Sequence, residues 1–148
     1  MDPTPSTDDG AARASLDPLD FLLGCWLGEG DEDGAPLTSE AEGRRILGGT
    51  WLEVRESVRD AAGRPVHEDA TLYRFDPEEG HLRVVHCLPG GWRREWPVLL
   101  REGRVLWVTG PAGPRVELEP SGGGWCTRVT LPGQTAPSVT LRYRRAGG

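Results

Sequence analysis

Chemistry in this chain of 148 residues centres on the run Trp92-Arg93-Arg94-Glu95-Trp96. In an extended strand Trp92, Arg94 and Trp96 share one face, which sets a guanidinium between two indoles. Such a group can hold a carboxylate or a flat ring by stacking and paired hydrogen bonds. The same spacing also suits an Arg stacked on an outer wall with tryptophans filling a core. Trp26, Trp107 and Trp125 alternate correctly for inward packing. Tyr73, Arg74 and Arg142 are further polar candidates, and their facing would flip with one bulge.

Three histidines supply the only imidazoles. His86 shares a strand face with Leu82 and Val84, so it can enter an interior as an anchor or acid-base group, or sit there as an ordinary satisfied side chain. His67 precedes Glu68 and Asp69, and alternation lets His67 and Asp69 share a site while Glu68 points away. No metal is expected there. His81 follows a turn and reads as exposed.

Nucleophilic catalysis finds little footing. No Gly-x-Ser-x-Gly occurs, and the acids are scattered over turns and edges. With no Lys anywhere, a phosphate-loop or Schiff-base Lys is excluded, and with no Asn so is N-glycosylation. The acidic run at 28–34 lacks the EF-hand spacing and reads as a solvated turn. Net charge is −6, with ten acids and one Arg in residues 1–40, leaving thirteen acids and sixteen arginines beyond. Arg and Glu are interleaved along that remainder, which argues against general nucleic-acid binding.

The elements that must position these side chains are short strands. About ten alternating segments, bounded by Gly and Pro, follow one another at regular spacing from residue 24 to 144. Trp26, Gly28 and Gly30 give the first strand a large side chain followed by two bare positions, as sharp curvature requires. Just before it, Asp17 can cap a short helix that starts at Pro18 and buries Leu19, Phe21, Leu22 and Leu23. The predicted fold is all-β: a closed antiparallel up-and-down barrel of about ten strands with one short N-terminal plug helix. A barrel of that strand number encloses a cavity.

These residues resemble the calycin-like ten-stranded barrels that include nitrobindins and a bacterial family known as domain of unknown function 1579. Leu22-Leu23-Gly24-Cys25-Trp26-Leu27-Gly28-Glu29-Gly30 resembles their Leu-Gly-x-Trp-x-Gly-x-Gly signature. Ile46-Leu47-Gly48-Gly49-Thr50-Trp51-Leu52 is similar to the Leu-Gly-Gly hairpin of the second family. Gly63-Arg64-Pro65-Val66-His67-Glu68, with Leu72-Tyr73-Arg74 after it, looks like the nitrobindin stretch Gly-x-Pro-x-His-x-Glu, although Glu68 here adjoins His67 directly. The likeness covers roughly residues 19–145. It implies haem held by a His near the C-terminus, a position that falls at about Ser138, where a hydroxyl cannot replace an imidazole on iron. No cofactor is therefore predicted, and haem on another histidine remains an alternative.

The sequence thus predicts a disordered acidic tail over 1–15 and one barrel domain over 16–145. The barrel is expected to bind a small amphipathic or anionic ligand, contacted by Trp26, His67, Tyr73, Arg74, His86, Trp92, Arg94, Trp96, Trp107 and Arg142. The alternatives are a haem protein or small enzyme using His67 or His86, and an interaction module or homodimer. No nucleic-acid or membrane partner is expected. An odd cysteine count and the absence of an apolar leader in the first sixteen residues predict a bacterial cytoplasmic location.

Overall fold

The computed structural model describes residues 7–147. Eleven strands form one antiparallel sheet: β1 (Gly24–Glu32), β2 (Ala35–Ile46), β3 (Trp51–Asp60), β4 (Pro65–Asp76), β5 (His81–Leu88), β6 (Trp92–Pro97), β7 (Leu99–Arg101), β8 (Arg104–Val108), β9 (Arg115–Ser121), β10 (Gly124–Thr130) and β11 (Val139–Arg145). Their order is β6-β5-β4-β3-β2-β1-β11-β10-β9-β8-β7, so the last strand pairs with the first and the sheet curls into a nearly closed up-and-down barrel. A seam is left between β6 and β7.

The expected tenfold count becomes eleven because the segment read as one strand over 92–100 breaks at Pro97 and Val98. Pro97 has no N–H for a ladder, and the Val98 amide turns back to donate to the Leu82 carbonyl at 2.9 Å.

A 3-10 helix, Asp17–Leu22, stoppers one end. Asp17 does not cap it, as no side-chain bond is made at its N-terminus. Arg45 of β2 takes both Asp17 and Asp20 instead, each at 2.8 Å. Leu16, Leu19 and Leu22 are fully buried, and the Trp26 indole N–H donates to the Leu22 carbonyl at 3.0 Å. Gly43 is required here, since a Cβ on it would stand 1.9 Å from that carbonyl oxygen.

Residues 7–15, expected to be unstructured, form α1 (Thr7–Ser15), and the rest of the expected tail lies outside the described residues. Ala11, Ala12 and Ala14 are strong helix formers. The helix is tied down where Arg45 donates to the Arg13 carbonyl at 2.7 Å.

Side chains alternate as the pleat demands. The interior receives Trp26 from β1, Leu37, Ser39 and Ala41 from β2, and Leu52, Val54 and Val58 from β3. The far wall adds Trp107, Leu118, Trp125, Leu141 and Tyr143. Core density concentrates at the plugged end, and toward the other end the walls stand apart.

Candidate functional site

The space between the walls is a cavity of about 380 Å³. Leu37, Val54, Val58, Val116, Leu118, Val129, Val139 and Leu141 supply its apolar lining. Glu56, His67, Asp69, Thr71 and His86 interrupt that lining on the β3–β5 side.

Strand register brings the polar group together. His67, Asp69 and Thr71 alternate along one face of β4, Glu56 is the cross-strand partner of Asp69, and His86 is the partner of Thr71. Asp69 Oδ2 meets His67 Nε2 at 2.9 Å and His86 Nε2 at 3.2 Å. Side-chain exposure is 15% for Asp69 and 14% for His86, against 43% for His67 at the rim.

Glu56 is held from the opposite wall. Tyr143 Oη donates to its carboxylate, and Ser39 Oγ is 2.8 Å from the same phenol. Tyr143 can reach because β1 is bare beneath it: a Cβ on Gly28 would lie 2.7 Å from the phenol ring. The ring stacks on Trp125 with centroids 4.0 Å apart. Below, the Trp107 indole donates to Tyr73 Oη at 3.3 Å.

These contacts shift several ionisations. Burial, reinforced by the charge of Asp69, pushes Glu56 up to about 7. Burial also works to raise Asp69, but hydrogen bonds from His67 and His86 outweigh it and hold the carboxyl below its ordinary value. The bond to Asp69 raises His67 against the opposing effect of burial. Burial lifts both Tyr73 and Tyr143, so both phenols stay neutral. Two buried polar atoms on lining residues, His86 Nδ1 and Trp125 Nε1, have no hydrogen-bond partner among the described residues.

Of the sequence candidates, His67, Tyr73, His86 and Trp107 line the cavity. Trp26 lies at its plugged end, edge-on to Trp125 at 6.3 Å. The Trp92, Arg94 and Trp96 group falls on β6, a strand paired on one side only, so its nominally inward face lies along the seam. Arg94 stacks on Trp92 at 5.4 Å and donates to its own neighbour's carbonyl, while the Trp92 ring stands edge-on to His86 at 5.7 Å. Trp96 reaches the backbone at Gly110 across the seam, and none of the three lines the cavity.

Arg74 and Arg142 alternate with inward Tyr73, Leu141 and Tyr143, and so lie on the outer wall. Arg74 pairs there with Glu95 at 2.9 Å, and Arg142 is an exposed neighbour of Glu29. Ser138, where the haem ligand of nitrobindins would fall, donates its hydroxyl to the Val129 carbonyl at 3.2 Å.

Glu56, Ser39 and Tyr143 are not among the candidates that the sequence singles out. The signal for Glu56 was available: it holds the one inward position between Val54 and Val58. Ser39 and Tyr143 carried none, because their meeting depends on β1 and β11 closing the sheet.

The geometry defines a nearly closed antiparallel barrel consistent with a calycin-like fold. No protein-family model matches the chain, and no curated protein matches it in sequence.

Proposed function

We propose that this barrel binds a small amphipathic molecule inside its cavity, with the apolar part against β9–β11 and a donor-bearing or cationic end against Glu56 and Asp69. The observation that carries the reading is the uneven lining: the mostly apolar β9–β11 side, with Thr127 as its polar exception, faces Glu56, His67, Asp69 and His86 across about 380 Å³, and Glu32 and Thr109 also line the cavity. That volume lies toward the lower end of the usual range for ligand sites, about 300–1,000 Å³. The unpartnered His86 Nδ1 and Trp125 Nε1 add two polar atoms that a ligand can satisfy, and a buried polar atom left unpaired is costly.

Among the described residues no Arg lines the cavity, so the anionic ligand expected from Arg94 and Arg142 loses its orienting groups. The reading therefore favours an amine over an acid. Haem in the nitrobindin manner is not part of it. The hydroxyl at Ser138 is no iron ligand.

A family relation to nitrobindin-like barrels is supported by the position of the Leu-Gly-x-Trp-x-Gly-x-Gly stretch, which runs from plug into first strand as the resemblance implies. Free thiols at Cys25, Cys87 and Cys126 support a reducing compartment. No helix among the described residues is long and apolar enough to cross a membrane.

The test is a thermal-shift and calorimetric panel of arylalkyl amines matched against carboxylates of the same skeleton. The amines are expected to raise the unfolding midpoint in proportion to the logarithm of concentration, and the acids to leave it unchanged. Acids that bind as well as amines, or a panel with no binders, would contradict the reading.

A further inference from the structure

We infer that His67, Asp69 and His86 form a binding site for one divalent transition-metal ion of the zinc and iron(II) kind, set in the cavity wall. The inference shares the cavity with the reading above but needs no organic ligand, so either can fail alone.

The donor atoms already converge. One atom from each of the three residues lies within 4.8 Å of the other two, and Asp69 Oδ2 stands 2.9 and 3.2 Å from the two Nε2 atoms. With metal–nitrogen and metal–oxygen bonds of about 2.0–2.1 Å, neighbouring donors of a tetrahedral site lie about 3.3 Å apart. Two edges of that figure are therefore nearly in place. Closing the third, between the imidazoles, requires a swing of the half-exposed His67 ring and leaves the deeper His86 and Asp69 where they are.

The residue types select the class of ion. Two imidazoles and one carboxylate suit a borderline transition metal, whereas calcium and magnesium take oxygen ligands. All three donors stand on paired strands, which fixes their backbones: His67 and Asp69 two apart on β4, His86 on the adjacent β5. Glu56, the cross-strand partner of Asp69, brings a second carboxylate to the same side of the cavity. Three protein donors leave at least one coordination position, and it faces the cavity, as in sites where the metal also meets a small molecule.

Cobalt(II) is the probe, added to tag-free full-length protein after chelator treatment, with calorimetry and visible absorption as readouts. The expected result is one ion per chain with the weak bands of a nitrogen and oxygen donor set and no intense thiolate band. Removing a ligand with His67→Ala or Asp69→Asn should weaken binding by more than about tenfold, because even supporting partners of ligands are worth about that much. His81→Ala, at the plugged end beside Glu79, should change nothing. His67 is exposed enough that its loss leaves the fold intact, so that variant decides the matter even if His86→Ala or Asp69→Asn fails to fold. No saturable binding, a thiolate signature, or binding unchanged in folded His67→Ala would each overturn the inference.

Discussion

Glu56 stands between Val54 and Val58 on the inward face of β3, where the surrounding pattern calls for an aliphatic side chain. Its carboxyl rises from an ordinary 4.5 to about 7 through burial and the adjacent charge of Asp69. A carboxyl raised by folding stabilises the native state while protonated, so this contribution is complete below about pH 4.5 and lost as pH climbs through about 7. His67 acts with the same sign: its pKa is raised, so its contribution is whole below 6.5 and lost as pH rises through the folded value. Asp69, depressed, has the opposite sign and matters only on the acid side, below its ordinary 3.8. Tyr143, the remaining ionisable group against Glu56, stays neutral throughout this window. Urea unfolding of chelator-treated protein should therefore show stability falling from pH 5 to pH 8, by at most about 3 kcal/mol from Glu56. Glu56→Gln, which keeps an acceptor for Tyr143, should flatten that slope. An identical slope in the variant would contradict the assignment.

At the scale of elements, β1 does its work through what it lacks. The bare surface at Gly28 lets the Tyr143 ring lie flat on Trp125 and extend its hydroxyl to Glu56 and Ser39. Gly28→Ala should cost about 1–3 kcal/mol, since a methyl group there must displace the ring. Thermal denaturation measures it, and an unshifted midpoint would show that the ring has somewhere else to go.

The plug is tested by Arg45→Ala, which removes the guanidinium shared by Asp17, Asp20 and the Arg13 carbonyl. Amide exchange should accelerate through residues 10–20 with little change in β3 or β4. Uniform protection in the variant would mean that apolar burial alone holds the plug.

Much of this layer was legible. Alternation gave the strands, Gly and Pro gave their limits, and the Leu19, Leu22 and Trp26 run gave the plug. The break at Pro97 was legible too, through its missing N–H, but the apolar Val98-Leu99-Leu100 run continued the strand pattern and masked it. Two things were beyond local reading. The facing of β6 depends on its being a sheet edge, and the partners of Arg45 in the plug and α1 lie 25 to 32 positions away. α1 was hidden by composition, since its polar, acidic residues mask Ala11, Ala12 and Ala14, and the Arg45 that bonds its C-terminal turn lies far along the chain.

The molecule as a whole divides its interior. One end is stoppered and dense; the other holds a cavity of about 380 Å³ with unlike sides. Small barrels fill such space with their own side chains, and here Thr127, Thr71 and Val116 are too short to do so. Thr127→Phe should fill the cavity, leave the midpoint within a few degrees of the parent, and abolish amine binding in the calorimeter. Binding retained in a folded Thr127→Phe would place the ligand elsewhere. The most direct measurement is a crystal structure of the protein grown with an arylalkyl amine. Density for the ring against Leu118, Val139 and Leu141, with nitrogen in hydrogen-bond reach of Asp69 or Glu56, is the result expected. An interior filled by side chains, or the molecule seated only along the seam by Trp92 and Arg94, would contradict it.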